Sequence, residues 1–518
     1  MKLLASESLL NRPKKGKSAM SLPRITRREV ALALGAAVVA RPEPAHAAGG
    51  SEICFLTATE MAGLIRRKKL SAREVLAAHL AQIERVNPKV NAIVTLVADQ
   101  ATENARKADE AQALGATLGP LHGLPVAHKD LFETAGIRTT FGSLIFKDNI
   151  PKRDAIIVER INRAGAITLG KTNTPEFGTG SQAFNAVFGS TKNPYDLTKT
   201  CGGSSGGAAV SLACGMVPIA DGSDSGGSLR NPASFCNVVG LRVAPGRVPS
   251  FAQGNAWLTI SVSGPMARTV SDVALLLSVI AGPDARCPIS ISEPGARFAQ
   301  NLDRNFKGVR VAWFKDMGGF PFDPQVLRQV NAQRRVFEDL GCIVEEAEPD
   351  WSGAIEGYDT LRAWNYAATQ SENARLHRDL MKDTNLWEVE RGSKLTGADV
   401  ARANAVRSQA WERMRAFQEK YEYFISPVSQ VLPYDVNQPY PTEITGVKMN
   451  TYIEWQKSCI LISGLENPAI SVPCGFSTEG LPVGLQIVGR HRDEWSVLQL
   501  ASAFEHATKV GNRRPGIV

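Results

Sequence analysis

The chain has 518 residues, of which 43% are hydrophobic and 21% are charged, a balance that excludes gross disorder and is ordinary for a globular enzyme. The formal net charge is +8, but residues 1–47 hold nine Lys or Arg and three Glu, which is +6 and leaves about +2 for the remainder. Because the positive charge is concentrated at the amino terminus, the composition gives no support for nucleic-acid binding.

The amino terminus has the features of an export signal. Arg27 and Arg28 precede an apolar run at residues 30–40, which is far shorter than the roughly 20 residues that a membrane-spanning helix needs. Small residues around Ala47 provide a cleavage site. We therefore predict that residues 1–47 are a twin-arginine-type signal that is removed, so that the mature protein is periplasmic or secreted and has no membrane contact.

The first predicted elements after this segment are three helices and a strand. Capping boxes, in which Ser or Thr is followed three residues later by Glu, mark helix starts at Thr57 and Ser71. A polar helix follows at about residues 99–114. A short apolar strand at 124–127 then breaks off at polar residues that include Lys129.

The rest of the chain alternates predicted helices and strands, which indicates an α/β fold with a mixed sheet in one domain. Helices are predicted at 155–163, 204–213, 269–280 and 324–340, and strands at 166–169, 216–220, 309–314, 469–472 and 483–488. Residues 283–445 are more polar and mostly helical, and we interpret them as a continuation of the core with an elaboration that covers the site.

Eight cysteines lie beyond the signal, without a CxxC pair or a Cys/His spacing typical of metal sites. We therefore expect neither a metal nor a cofactor. An even number of cysteines in an exported chain permits disulfides. Twin-arginine substrates usually fold before export, however, and this favours buried free thiols.

The most distinctive stretch is glycine- and serine-rich and spans residues 202–228. Ser228 follows two glycines, and backbone amides from Ser225 onward are suited to hold an oxyanion, each such donor contributing about 2.7–4 kcal/mol. A plain glycine turn is the alternative interpretation. A nucleophilic serine needs a base, and Lys129 lies at the end of an apolar strand, where α/β sheets place their active sites.

The same stretch satisfies the G-x-S-x-G pattern at Ser204 and again at Ser205, which is typical of an α/β-hydrolase nucleophile elbow. A serine esterase of that type is therefore an alternative, with His377, His491 or His506 as its base. It leaves Lys129 and the second glycine–serine cluster unexplained.

Several ordered motifs together resemble the amidase signature family. They are GLPVAHKD (123–130), TNTPEFG (172–178), GGSSGGAA (202–209), GSDSGGSLRNPASFCNVVGLR (222–242) and GLPVGLQIVGR (480–490). The resemblance covers essentially all of residues 48–518 and is weakest over 283–445. It implies a single large α/β domain whose mixed central sheet is covered by helices on both faces.

The resemblance also implies a Ser–cis-Ser–Lys triad, with Lys129 as base, Ser204 as bridging serine and Ser228 as nucleophile. An unusual cis peptide bond is expected at Ser204. Neutral Lys129 would accept a proton from Ser204 while Ser204 takes the proton of Ser228. Ser228 would attack the amide carbonyl, and water would then hydrolyse the acyl-enzyme.

The other site residues are also implied by the resemblance. The backbone of Ser225, Gly226 and Gly227 would form the oxyanion hole, and Ser205 would support the network. His128 stands where the family usually has an aliphatic residue, and strand alternation would turn it away from the lysine, so we expect it to pack.

Three charged residues near the motifs, Asp130, Asp224 and Arg230, are expected to be structural. Aromatic residues close to the family motifs are the candidates for the substrate pocket, which would favour an aryl or acyl group: Phe132, Phe177, Phe184, Tyr452 and Trp455.

The sequence thus predicts an amidohydrolase that cleaves a small-molecule carboxylic amide to an acid and an amine or ammonia, without a nucleic-acid partner and with a homodimer as one possible assembly. Three alternatives remain open: the glutaminase-type subunit of a tRNA-dependent amidotransferase, the serine esterase, and a non-catalytic periplasmic binding protein on the same fold.

Overall fold

A mixed eleven-stranded sheet forms the centre of the computed structural model, which describes residues 50–251 and 255–518. The predicted export signal at 1–47 lies outside the described residues. The strands, including those of two separate two-stranded hairpins (β4–β5 and β12–β13), are β1 (Ile93–Leu96), β2 (Pro125–Lys129), β3 (Ile167–Thr172), β4 (Phe184–Asn185), β5 (Gly189–Ser190), β6 (Ile219–Asp224), β7 (Val239–Arg242), β8 (Val262–Ala267), β9 (Arg310–Trp313), β10 (Ile343–Glu346), β11 (Tyr423–Pro427), β12 (Glu443–Ile444), β13 (Val447–Lys448), β14 (Ala469–Phe476) and β15 (Pro482–Val488).

The strand order in the sheet is β1-β3-β2-β6-β8-β7-β14-β15-β11-β9-β10. Strands β3, β2 and β6 run parallel to one another, as do β11, β9 and β10, and the remaining neighbours are antiparallel. The predicted α/β class with a mixed sheet is therefore confirmed. The first parallel set contains β2, which ends at Lys129.

The α-helices of the described residues are α1 (Gly50–Ile53), α2 (Ala58–Arg66), α3 (Ala72–Val90), α4 (Ala98–Ala113), α5 (Ile156–Arg163), α6 (Gly206–Ala213), α7 (Arg230–Phe235), α8 (Val270–Ile280), α9 (Pro324–Asn331), α10 (Arg334–Asp339), α11 (Ala354–Leu376), α12 (Asp383–Gly392), α13 (Gly397–Lys420), α14 (Lys457–Gly464) and α15 (Glu494–Thr508). Short 3₁₀ turns occur at Leu144–Phe146, Glu176–Gly178, Gly295–Ala299, Arg378–Leu380, Glu454–Gln456 and Val510–Asn512.

Helices cover both faces of the sheet. On β2, Val126 belongs to one buried apolar cluster and its neighbour Ala127 to another, and Ile219 and Ala220 on β6 divide in the same way. Side chains of α8 and α15 join the first cluster, whereas those of α3, α4 and α6 join the second. Because successive strand residues face opposite sides, each face of the central strands is packed against its own helical layer.

Local sequence signals located most elements well. Both predicted capping boxes are present, at Thr57 and at Ser71. The helix predicted at 324–340 is instead two helices, α9 and α10. The predicted strands at 124–127 and 216–220 are both displaced, and β2 and β6 extend further, to Lys129 and Asp224. The extensions contain buried polar residues such as Lys129 and Asp224, whose side chains have hydrogen-bond or ion-pair partners, so hydropathy alone does not reveal them.

The described residues contain no helix long and apolar enough to cross a bilayer. All eight cysteines are buried and none forms a disulfide. Burial raises the pKa of the Cys459 thiol to about 11 and that of Cys201 to about 12, so these thiols are protonated at neutral pH. Within the described ranges, no cluster of three or more His, Cys, Asp or Glu is placed to hold a metal ion.

Candidate active site

The lysine at the end of β2 is surrounded by serine hydroxyls. Lys129 Nζ lies 2.7 Å from Ser204 Oγ, 2.9 Å from Ser205 Oγ and 3.0 Å from Ser223 Oγ. A neutral amine has two N–H donors and one lone pair, so it can donate to two of these hydroxyls and accept from the third. The structure thus brings together residues from three separate motifs.

Burial sets the protonation state of this lysine. The Lys129 side chain is fully buried, and desolvation lowers its pKa from 10.5 to about 7, although the nearby carboxylates of Asp224 and Asp221 act in the opposite direction. A substantial fraction of Lys129 is therefore neutral at physiological pH. A buried amine with a pKa near neutrality can serve as a general base.

A buried carboxylate on the adjacent strand fixes the backbone of β2. Asp221 Oδ1 accepts the Lys129 backbone N–H at 2.7 Å, and Asp221 Oδ2 lies 2.5 Å from His128 Nδ1. The other ring nitrogen of His128 lies 3.0 Å from Thr168 Oγ1, away from the serine cluster. His128 therefore packs within the sheet layer, as strand alternation predicted.

The Gly203–Ser204 peptide bond is cis, the bond that the family resemblance implied. Gly203 packs against the backbone of Gln182, where an added Cβ would lie 2.8 Å from the carbonyl carbon. The next residue links the two glycine–serine clusters, because the Ser205 N–H donates to the Ser228 carbonyl oxygen at 3.2 Å. Ser205 thus contacts both the lysine and the loop that presents Ser228.

Asp224 organises the loop before Ser228. It is fully buried, and its carboxylate pairs with Arg230 at 3.0 Å and Arg242 at 3.1 Å. Burial by itself would raise the pKa of Asp224, but the two guanidinium groups outweigh it and hold the pKa well below its usual range. Asp224 also accepts the Leu229 N–H at 3.1 Å. The structural roles expected for Asp224 and Arg230 agree with these contacts.

The predicted oxyanion donors do not all face the site. The Gly227 N–H donates to Asp224 Oδ1 at 2.9 Å, so the loop itself engages this donor, and Gly227 is not among the residues that line the cavity beside Ser228. The prediction that Gly227 provides an oxyanion donor is corrected on this ground. Ser225 and Gly226 do line the cavity.

A cavity of about 160 Å³ adjoins the serine cluster. Its wall includes Ser204, Ser223 and Ser228, and helix α11 contributes one side of it. The described residues that line it include no histidine; they are Leu131, Phe177, Gly178, Gly180, Ser204, Ser223, Ser225, Gly226, Ser228, Ile260, Ser261, Tyr358, Arg362, Asn365, Tyr366, Thr369, Gln370, Tyr452 and Gln456.

Two of the five predicted pocket aromatics, Phe177 and Tyr452, line this cavity. The other three do not, and the prediction is corrected for each. Phe132 packs into the main apolar cluster, and Phe184 lies in the β4–β5 hairpin with 42% of its surface exposed.

Trp455 is the third aromatic that lies outside the cavity. Its ring is fully buried, and it stacks on Phe235 with ring centroids 6.1 Å apart. The indole N–H donates to Ser181 Oγ at 3.0 Å. Tyr452, which precedes the 3₁₀ turn at Glu454–Gln456, lines the cavity instead.

Sequence reasoning missed two parts of this site. The first is Ser223, which contacts Lys129. Ser223 is two residues after Asp221 on β6, so strand alternation places the two on the same face, and this is the sequence pattern that could have indicated it. Tyr358, Arg362 and Tyr366 all lie on α11, within the divergent region, where no motif marked them.

Comparison with known proteins identifies the family of this chain. The Amidase family matches residues 74–498, most of the chain. The chain belongs to the amidase signature family. It is a hydrolase acting on amide bonds, and the family resemblance inferred from the motifs is confirmed.

Individual amidase signature proteins are similar over nearly their whole length. An acylamidase of Rhodococcus erythropolis is 37% identical over 89% of this chain and 97% of its own. A glutamyl-tRNA(Gln) amidotransferase subunit of Moorella thermoacetica is 35% identical over 90% of this chain and 99% of its own. A crystal structure of a bacterial aryl acylamidase superposes with a TM-score of 0.84 at 27% identity, covering 90% of this chain and all of that one.

Proposed function

We propose that this protein hydrolyses a small-molecule carboxylic amide to an acid and an amine through an acyl-enzyme on Ser228. The observation that carries the proposal is the contact between fully buried Lys129 and Ser204, at a cavity that Ser228 also lines. A base of near-neutral pKa, a bridging hydroxyl and a serine beside backbone amides are the parts that acyl transfer requires.

The proposed proton route runs from Ser228 through Ser204 to Lys129. Neutral Lys129 accepts the proton of Ser204 while Ser204 accepts the proton of Ser228, and the freed Ser228 oxygen bonds to the amide carbon. The Ser225 and Gly226 amides stabilise the oxyanion. When the C–N bond breaks, the proton returns through Ser204 to the leaving nitrogen. A water molecule then attacks the ester by the same route and regenerates Ser228.

Similarity to the Rhodococcus erythropolis acylamidase and to the bacterial aryl acylamidase structure supports N-acyl amines as the substrate class. The aromatic side chains of Phe177, Tyr366 and Tyr452 in the cavity wall suit an aryl or alkyl group.

An acyl-enzyme test checks this function. After a brief incubation with an N-acyl p-nitroanilide and an acid quench, we expect the intact mass to rise by the acyl group, and the added mass to lie on the peptide that contains Ser228. Release of nitroaniline should show a burst if deacylation is the slower step. An acyl group on Ser204 or Ser205 would contradict the assignment.

The Moorella thermoacetica relative favours a second candidate, a glutaminase-type subunit of an amidotransferase. The same enzyme preparation should therefore be assayed with glutamine, measuring glutamate and ammonia. We expect anilide turnover to exceed glutamine turnover by about two orders of magnitude, because the aromatic side chains in the cavity wall can pack against an aryl group that glutamine lacks. Preferential glutamine hydrolysis would support the glutaminase function instead.

We further propose that the protein acts in the periplasm or outside the cell, on the basis of Arg27-Arg28 and the apolar run that follows. Replacing both arginines by lysine is expected to leave the protein in the cytoplasm, measured by cell fractionation and immunoblotting. The control is the same substitution at Arg24 and Arg41, which should not alter export. Periplasmic recovery equal to wild type after the Arg27/Arg28 change would refute this localisation.

A further inference from the structure

Helix α11 places one guanidinium and two phenols on the cavity wall. Tyr358, Arg362 and Tyr366 recur every four residues, so they share one face of the helix, and all three line the cavity. Tyr452 joins them from the chain before α14. We call these four residues the donor wall.

A carboxylate behind the donor wall balances its charge. Arg362 Nε donates to Glu388 Oε1 at 2.9 Å, and Tyr452 OH donates to the same oxygen at 2.6 Å. Arg362 Nη2 in turn donates to Tyr452 OH at 2.7 Å. Glu388 on α12 is fully buried and is not among the residues lining the cavity. A ligand in the cavity therefore meets the Arg362 guanidinium, whose positive charge is compensated by Glu388 outside the cavity lining.

Some of these donors are only weakly engaged. Arg362 Nη1 lies 3.5 Å from Tyr358 OH, and Nη2 lies 3.4 Å from Tyr366 OH, both longer than a typical N–H···O bond. A guanidinium has five N–H groups, and leaving them unpaired in a buried setting costs free energy. Arg362 thus has donor capacity that a ligand in the cavity can use.

The donor wall adjoins the proposed oxyanion loop. Tyr358 OH lies 3.3 Å from Ser225 Oγ, and a Cβ added to Gly226 would lie 2.6 Å from Tyr358 OH. A substrate whose scissile carbonyl reaches Ser225 and Gly226 therefore places its neighbouring atoms beside Tyr358 and Arg362.

We propose that the donor wall selects amides that carry a second oxygen acceptor close to the scissile carbonyl. This inference rests on the proposed amidase function and narrows its substrate class. Because the negative charge of Glu388 balances the positive charge of Arg362, the donor wall can donate to a neutral carbonyl as well as to a carboxylate. Both groups present an oxygen that accepts a hydrogen bond. Arg362 acts here as a specificity-determining residue, and Tyr452 and Glu388 position it.

Three anilides of similar acyl-chain length test the inference: the N-phenyl monoamide of butanedioic acid, its methyl ester, which is one atom longer, and the N-phenyl amide of pentanoic acid. We expect the acid, the ester or both to exceed the alkyl anilide in kcat/KM by about tenfold or more, as expected when buried donors find acceptors. Preference for both assigns a carbonyl acceptor, and preference for the acid alone assigns a carboxylate.

The decisive variant combines Arg362→Met with Glu388→Gln, because removing Arg362 alone would leave a buried carboxylate unpaired. We define the acceptor-to-alkyl ratio as kcat/KM for the acid or ester anilide divided by kcat/KM for the alkyl anilide. In this variant we expect the ratio to fall to about 3 or less, because the change removes a polar contact from the acceptor substrate only. The control is Arg247→Met with Glu494→Gln, a buried pair 2.9 Å apart outside the cavity lining, which should keep the wild-type ratio.

A single hydroxyl gives an independent check. Tyr366→Phe should lower the ratio, whereas Tyr423→Phe, at a buried phenol that donates to the Ser496 carbonyl, should leave it unchanged. Equal kcat/KM for all three anilides in wild type, or a preference that survives the Arg362/Glu388 change, would overturn the inference. If no anilide is hydrolysed, the proposed amidase function fails, but the specificity can still be tested by binding. The dissociation constants of the three compounds with the Ser228→Ala variant, measured by calorimetry, then replace kcat/KM in the acceptor-to-alkyl ratio.

Discussion

Replacing Ser228 by alanine is expected to lower kcat/KM for anilide hydrolysis by about 10⁴-fold or more, the scale of loss seen when a nucleophile is removed from a catalytic set. Ser228 lines the cavity together with Ser204, and its backbone carbonyl, which accepts the Ser205 N–H, is retained in alanine. The fold should therefore survive, with a circular dichroism spectrum and a thermal midpoint close to those of wild type. Initial rates with an N-acyl p-nitroanilide measure the effect.

The control is a chemically identical change nearby. Ser211 on α6 is fully buried, and its Oγ donates to the Gly207 carbonyl at 2.7 Å, away from the cavity. Ser211→Ala should keep kcat/KM within about threefold of wild type, because substitutions outside the reacting groups act mainly on stability. Hydrolysis by Ser228→Ala at more than a tenth of the wild-type rate would exclude Ser228 as the nucleophile.

The motifs of the candidate site could be located from sequence because their residue types are unusual in combination. Glycines beside serines mark backbone that approaches other atoms closely, as at Gly203, and Lys129 became a candidate base because it ends an apolar strand within the motif GLPVAHKD. Lys129 and Ser204 are 75 positions apart and yet in contact, a pairing that the resemblance to the amidase signature family implied.

Side-chain direction could not be predicted in the same way. Trp455 and Tyr452 are three residues apart, yet Trp455 lies in a buried apolar cluster whereas Tyr452 lines the cavity. The engagement of the Gly227 amide by Asp224 depends equally on the local loop conformation. Proximity in sequence to a motif therefore predicts that a residue lies near the site, but it does not predict the orientation of its side chain.

The donor wall escaped prediction for a different reason. Hydropathy assigns an arginine to solvent, whereas Arg362 shares the buried face of α11 with Tyr358 and Leu361. Its burial depends on Glu388, a partner on the next helix, and no local pattern reveals such a long-range ion pair. The region that the family motifs cover least thus contributes Tyr358, Arg362 and Tyr366 to the cavity wall.

Replacing Lys129 by methionine is expected to reduce kcat/KM by about 10²–10⁴-fold, the usual contribution of a general base. Burial lowers the lysine pKa to about 7, so in wild type kcat/KM should rise about tenfold per pH unit below pH 7, as the amine loses its proton, and level off above it. The methionine variant should lack this limb. Rates of p-nitroanilide hydrolysis between pH 5 and 9 measure both effects.

The same pKa shift predicts a pH dependence of stability. Between about pH 7 and 10 the unfolded chain holds a proton on Lys129 that the folded protein lacks, so the free energy of unfolding of wild type rises with pH through this window. The Lys129→Met variant loses this contribution to the pH dependence of the free energy of unfolding. The thermal midpoint of wild type relative to the variant should therefore increase as pH is raised from 7 to 10.

Lys171 supplies the matched control for the pH profile. It is also fully buried, its pKa is lowered by burial to about 8, and its Nζ bonds to the Phe132 carbonyl and to Thr134 and Thr139, outside the cavity lining. Lys171→Met should lower the thermal midpoint but keep the activity limb near pH 7, since Lys129 is unchanged. Loss of the limb in the Lys171 variant, or its persistence in Lys129→Met, would show that Lys129 is not the base.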